Sequence, residues 1–460
     1  MFNWLLAVLT AVVVALLTTS PVVVTIVMSG CIALALLGPA RAVQALTIGT
    51  LITYANPAII KMGPADGILL RVVLIIAVVR VLPTMRASDV RLVWPVWLFG
   101  IALAITSAMV SPALSVSLMK DITFTLAATV VLVAVNGTPP AQLQKLQTWL
   151  ITVCLTVIAL SGLTLARPPL GAGLNGGLQG LLGQPQALGI FIAPFAAWSA
   201  AGVLLMRGRT SWIEVLIAVG TVVLVFLTRA RTAALATGLA IALVVLTRLL
   251  ARRSGPQAKL GRPLLLLALV GVGVATYAFA TGKLNTVLLD FVYKDQRHGS
   301  LGDAFLDTRG GVFGQWQNFL SSPAIGHGFG VYADGSFPSG VVEVYGIPIS
   351  APIEKGFLPT AILEEGGVVG GLLLLLLITW LTLYAWRNTD LRWRAMFFAC
   401  LCVNFGECVF LAPGGIGMID WICLAVALSG YRTTVPLKTR LRRSPPPEPT
   451  REAALVELST

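Results

Sequence analysis

Several uninterrupted apolar runs in this chain exceed about 18 residues, the length at which a segment can cross a bilayer as a helix. The run from Gly366 to Trp386 carries no charged residue at all. Runs of this kind leave little choice of fold: the chain reads as an all-α polytopic membrane protein. Composition agrees. Hydrophobic residues make up 57% and charged residues only 11% of the 460 positions, whereas a soluble domain carries about 25% charged residues. The net charge of +13 does not point to nucleic acid, because the lysines and arginines sit mostly in short loops between apolar runs, where they act as topology signals.

About fourteen spans are expected, over 3–19, 21–38, 42–60, 67–83, 92–110, 120–136, 146–165, 184–206, 212–228, 231–249, 263–281, 358–386, 393–411 and 414–430. The segment Met1 to Leu17 lacks a basic leader and a second apolar run follows it directly, so it reads as the first span rather than a signal peptide. With the N-terminus in the cytoplasm, the inside loops collect Arg41, Arg86, Arg91, Lys145, Arg207, Arg209, Arg252, Arg253, Lys259, Arg262, Arg387, Arg392 and Arg394. This positive-inside bias puts both termini inside and a large loop, 282–357, outside. The chain thus divides into spans over 1–281, the loop over 282–357, spans over 358–430, and a basic, proline-rich tail over 431–460 that reads as disordered. The six cysteines, Cys31, Cys154, Cys400, Cys402, Cys408 and Cys423, all fall in apolar segments, which excludes a disulfide framework in the loop and favours packing roles.

The 282–357 loop is too long to be a mere connection. It holds both histidines, His298 and His327, and a cluster of aromatics. Thr308–Leu320 reads as an amphipathic helix, lying on the membrane or over the cavity, whose apolar face is Val312, Phe313, Trp316, Phe319 and Leu320, stopped by Ser321-Ser322-Pro323. Arg309 falls in its first turn, where a helix N-terminus favours an anion. The alternating glycines of Gly326-His327-Gly328-Phe329-Gly330 bring backbone close to a neighbour. His327 within them reads either as a general base or as a hydrogen-bonding structural residue. Glu354 and Lys355 lie where the loop returns to the membrane, which makes Glu354 the best-placed base. Glu364 and Glu365 follow at the membrane face, where carboxylates are costly; Glu364 reads as structural.

Arg229 and Arg231 run against the charge rule, in a turn too short to leave the membrane surface. Two readings stand: snorkelling to lipid phosphates, or a fork of guanidiniums for a diphosphate. The glycine-rich stretch 176–186 reads either as an irregular, re-entrant backbone, with Gln184 and Gln186 lining a cavity, or as an ordinary loop.

Three pieces together resemble the O-antigen polymerase and O-antigen ligase family of bacterial membrane glycosyltransferases. They are Thr228-Arg229-Ala230-Arg231-Thr232 at a span start; Arg309, Trp316 and then Ser322-Pro323-Ala324-Ile325-Gly326-His327-Gly328; and Leu363-Glu364-Glu365-Gly366-Gly367-Val368-Val369-Gly370. The resemblance covers about 180 to 370. Ligases of that family carry a histidine shortly before the last motif, where this chain has Glu354-Lys355, so a polymerase-type member is expected. The resemblance implies an enzyme of the bacterial cytoplasmic membrane with a periplasmic loop. The donor would be an oligosaccharide on a polyprenyl diphosphate, and other partners would be membrane lipid and a chain-length regulator or another assembly protein. Arg229, Arg231, Arg309 and Lys355 would hold the diphosphate; Glu354 or His327 would serve as base; Gln184, Gln186, Trp316 and Tyr332 would line the cavity. No cofactor is expected, and no metal, since the outer face offers no dense carboxylate cluster.

Overall fold

The computed structural model describes residues 21–61, 66–166, 176–205, 211–251, 314–333, 342–344, 347–350 and 356–430. The spans expected over 3–19 and 263–281, the tail, and the site residues Arg309, Glu354 and Lys355 lie outside these residues.

Among the described residues the other twelve expected spans each contain a helix: α1 (Pro21–Leu36), α2 (Pro39–Thr53), α3 (Asp66–Val81), α4 (Ala87–Val110), α5 (Leu114–Gly137), α6 (Pro140–Leu163), α7 (Pro185–Leu205), α8 (Trp212–Leu227), α9 (Arg231–Ala251), α10 (Leu358–Asn388), α11 (Leu391–Val403) and α12 (Gly417–Leu428). Seven helical stretches, over α3 to α7, α9 and α10, are long and apolar enough to cross a membrane. The fold is that of an all-helical membrane protein. The exception is a short antiparallel hairpin in the loop, β1 (Val342–Val344) with β2 (Ile347–Ser350), in which Val344 stands opposite Ile347.

Local chemistry sets the helix starts. Ser211 and Glu214 form a reciprocal capping box at the head of α8, satisfying two backbone donors that the first turn leaves open. The Asp390 carboxylate accepts from the N–H groups of Arg392 and Trp393 at the head of α11. Prolines 39 and 140 open α2 and α6, where their missing N–H costs nothing.

Helix α7 is the central element. In its apolar window 89% of residues are buried, against 28% in α10, and it packs on α8, α9 and α11. Helices α1, α2 and α3 pack on one another, and α4 packs on α5 and α10. Leu372, Leu375, Leu376 and Leu383 of α10 face outward, as befits a lipid-facing helix. All six cysteines are buried and free.

Two spans are shorter than the apolar pattern implies. The 42–60 span ends as a helix at Thr53. Residues 54–56 instead pair with the glycine-rich stretch: Asn56 N donates to Leu181 O at 2.8 Å, Gly183 N donates to Tyr54 O at 2.8 Å, and Asn56 Nδ2 donates to Gly180 O at 3.0 Å. The 393–411 span stops at Val403. There Asn404 Oδ1 accepts from Phe410 N at 2.7 Å and Asn404 Nδ2 donates to Cys400 O at 2.8 Å, folding the chain into an irregular turn. In the first case backbone from the 176–184 stretch, and in the second the local Asn404 side chain, satisfies groups that a continued helix would have used.

Candidate functional site

One end of the bundle gathers the irregular backbone and much of the unexplained charge. Its parts are tied by direct contacts. Leu178 N donates to Leu227 O, linking the 176–184 stretch to the α8–α9 turn. Gly406 lies against Thr232 of that turn. Leu358 N donates to Asn404 O, linking the start of α10 to the turn after α11. Phe329 N donates to Ser107 Oγ at 2.9 Å, linking the loop to α4.

The centre of this end is a break in α10. Gly367 has φ 61 and ψ −161, a conformation open essentially to glycine alone. The break frees carbonyls before it and N–H groups after it, and the loop supplies partners for both. His327 N donates to Glu364 O and Gly328 N to Glu365 O, each at 2.9 Å; Val368 N donates to Pro323 O at 2.8 Å and Val369 N to Ala324 O at 3.2 Å. The fit is close. A Cβ on Gly367 would stand 2.4 Å from the Ala324 carbonyl, and one on Gly326 2.5 Å from the Glu365 carbonyl carbon. Of the alternating glycines, Gly326 therefore meets the broken helix, while Gly328 lies against Ser111 and Gly330 against Lys120.

The two carboxylates at the break are 1% and 0% exposed for Glu364 and Glu365. Asn318 Nδ2 donates to Glu364 Oε1 at 2.8 Å. Glu365 receives Lys120 of α5, whose Nζ lies 3.3 Å from both carboxylate oxygens. The ammonium also stands 4.4 Å from the centre of the Phe329 ring, a cation–π contact. A charge pair this deep is retained only with good partners, and here three separated segments meet in it.

His327 is half-buried. Its Nε2 lies 2.8 Å from Asn318 O and 2.9 Å from Ser321 Oγ. A carbonyl only accepts, so the network places the proton on Nε2 and the lone pair on Nδ1. The imidazole thus ties the glycine turn to the short helix at 314–321, as the structural reading expects, and still offers one basic nitrogen.

Over its described residues, 314–321, that helix is present and docks through Gln315, Asn318 and Phe319. Gln315 and Phe319 are buried, while Trp316 is 47% and Leu320 59% exposed. Hydrogen bonding decides the docking: Thr360 Oγ1 donates to Gln315 Oε1, and Asn318 holds Glu364. Trp316, expected in a cavity, points outward and stacks 5.2 Å from Phe319. Gln184 and Gln186 are likewise exposed, at the start of α7 rather than in an enclosed space. Tyr332 is half-buried beside the buried Val331.

Arg229 and Arg231 occupy the tight α8–α9 turn as expected, both half-buried. Arg229 adopts φ 54, uncommon for a residue with a side chain, and its guanidinium lies against Gly176, Nη1 being 3.3 Å from where a Cβ would stand. The glycine stretch is thus an irregular backbone packed into protein, with Gly177, Leu178, Gly180 and Leu182 buried.

Two cations at this end were not singled out from the sequence. Lys120 opens the expected 120–136 span, and Arg71 lies inside the 67–83 span, its guanidinium against Gly414 and the neighbouring Gly415 against Tyr54 Oη. The available signal was a lysine and an arginine within apolar runs. At the opposite end, Arg392 lies 3.4 Å over the Trp198 ring and 3.7 Å from Glu214, and Arg86 N donates to the buried Asp89 at 2.8 Å.

Among the described residues no group of three or more histidine, cysteine, aspartate or glutamate side chains is arranged to hold a metal. No protein-family model matches the chain, and no curated protein matches it as a relative.

Proposed function

We propose that this chain is a glycosyltransferase of the bacterial cytoplasmic membrane that polymerises polyprenyl-diphosphate-linked oligosaccharide units at the outer face, which would be the loop end. The observation that carries the reading is the built, charged end around the break in α10. Buried carboxylates, Lys120, a half-buried histidine and the Arg229–Arg231 turn are gathered there. A transporter needs ionisable groups deep along its route; an enzyme on lipid-linked substrates needs them where the head group sits.

In the reaction proposed, an acceptor hydroxyl attacks the anomeric carbon of the donor. The bond from that carbon to the diphosphate breaks, its electron pair leaves with the diphosphate, and the configuration inverts. Arginines hold the departing charge, with Arg229, Arg231, Arg309 and Lys355 as the proposed set. Glu354 or the Nδ1 of His327 takes the hydroxyl proton. The chemistry needs no metal. Transfer of a finished glycan to a lipid or protein, as in the ligases, is the second reading, favoured by His327 on the glycine turn.

The test is reconstitution in liposomes with a polyprenyl-diphosphate-linked repeat unit, read on a gel. A ladder supports polymerisation and a single shifted acceptor the ligase reading. Movement of the substrate across the bilayer without a new glycosidic product overturns both. Arg309→Ala is expected to abolish product while the protein still inserts, and Arg309→Lys to restore it only in part, because lysine lacks the planar fork. Sidedness has its own test. A single cysteine at Ser300 should react with a membrane-impermeant reagent from outside and one at Ser444 only from inside; the reverse pattern would invert the topology.

A further inference from the structure

Glu364 holds His327 twice. Its carbonyl accepts from the His327 backbone N–H at 2.9 Å. Its side chain acts through Asn318, whose Nδ2 donates to Glu364 Oε1 at 2.8 Å, while the Asn318 carbonyl lies 2.8 Å from His327 Nε2. The contacts close a ring: Glu364, Asn318, His327 and back to Glu364. Glu364 is 1% exposed, so its carboxylate is a fixed anchor for Asn318. Ser321 Oγ, 2.9 Å from the same Nε2, adds a further contact on that side of the imidazole.

This ring has a chemical consequence. The Asn318 carbonyl only accepts, which keeps the proton of the neutral imidazole on Nε2 and the lone pair on Nδ1. Among the described residues nothing hydrogen-bonds to Nδ1, and that nitrogen is not fully buried. The backbone on either side of the histidine is pinned as well. Gly326 and Gly328 have φ 70 and 109 and lie against the Glu365 backbone and Ser111. The imidazole is therefore fixed in position and in tautomer, with one basic nitrogen open.

We propose that Asn318 and Glu364 are positioning residues for His327 in the glycosyl transfer proposed above, a reading on which this inference rests. They hold the ring so that Nδ1 faces the acceptor hydroxyl. As the hydroxyl oxygen bonds to the anomeric carbon, the electron pair of the breaking bond leaves with the diphosphate and Nδ1 takes the hydroxyl proton. The ring is then a cation, and its Nε2–H bond to the Asn318 carbonyl becomes charge-assisted. The contact that orients the base is thus stronger in the transition state than in the ground state.

The first test needs no substrate. The chain has two histidines, His298 and His327, so the full-length His298→Gln protein carries a single imidazole. Nitrogen-15 NMR of that protein, histidine-labelled in lipid nanodiscs at a pH where the ring is neutral, should show the proton on Nε2. Adding Asn318→Ala, which unties the carbonyl from Glu364, should give a mixture of tautomers. A proton on Nδ1 before Asn318 is changed overturns the proposal. The second test follows turnover of the lipid-linked repeat unit. His327→Ala should lose about 10²–10⁴-fold in kcat. Asn318→Ala should lose up to about 10²-fold in kcat with KM unchanged, and Glu364→Gln, which keeps an acceptor for Asn318, should retain most of what Glu364→Ala loses. In the His327→Ala background the Asn318→Ala loss should vanish, because nothing remains to be positioned. An Asn318→Ala loss that multiplies with that of His327→Ala, or an unchanged kcat in either variant, overturns the proposal and leaves the transferase reading standing. A wild-type chain that forms no glycosidic product overturns that reading, and the positioning role with it.

Discussion

A Gly367→Ala chain is expected to lose the docked loop and with it the ordered end of the bundle. The native φ 61, ψ −161 at this position costs a residue with a side chain about 1–3 kcal/mol. The added methyl would also stand 2.4 Å from the Ala324 carbonyl, a distance no relaxation of a rigid backbone can absorb cheaply. Alanine favours a straight helix instead, and a straight α10 withdraws the Glu364 and Glu365 carbonyls and the Val368 and Val369 N–H groups from the loop. The expected result is rapid proteolysis within 314–333 and a stability loss of several kcal/mol, by the sum of strain and overlap. Gly370→Ala is the matched control. A Cβ there would touch Ile362 and Leu103 at 3.4–3.5 Å, ordinary contact, so that variant should stay within about 1 kcal/mol of the parent. Equal behaviour of the two variants would show that the break does not depend on Gly367.

The second large effect is at the buried ion pair. Lys120→Met or Glu365→Gln alone removes one charge of a buried pair and keeps the other, and each is expected to cost about 3–5 kcal/mol. The double substitution removes both charges, and its cost should fall well below the sum of the singles, with a coupling of about 1–3 kcal/mol. A double-mutant cycle in denaturant measures this directly. Simple additivity would mean that Lys120 and Glu365 do not share their energy, and that Phe329, 4.4 Å from the ammonium, holds Lys120 by itself.

Much of the architecture was legible in the amino-acid order because a bilayer demands it. A long apolar run has nowhere else to satisfy its backbone than in a helix, so the twelve expected spans that fall on described residues each contain a helix, seven stretches being long and apolar enough to cross a membrane, and the turn between Leu227 and Arg231 is as tight as its few residues require. The glycines at 326, 328 and 330 likewise announced a close approach of backbone, since only their missing side chains permit one.

What those glycines approach was decided by the tertiary structure alone. Nothing in the local pattern of 358–386 tells a straight helix from one broken at Gly367, because the break is stable only when residues 323–328, brought from a distant part of the chain, fill its open hydrogen bonds. The docking of the 314–321 helix has the same origin: Gln315 and Asn318 bind partners on α10 that periodicity cannot see, and Trp316 and Leu320 are left on the outer side. Lys120 and Arg71 were present in the sequence as charges inside apolar runs. Which carboxylate, ring or glycine each would meet depended on how helices far apart in the chain pack. That is a property of long-range contacts, which apolar run length and charge placement do not encode.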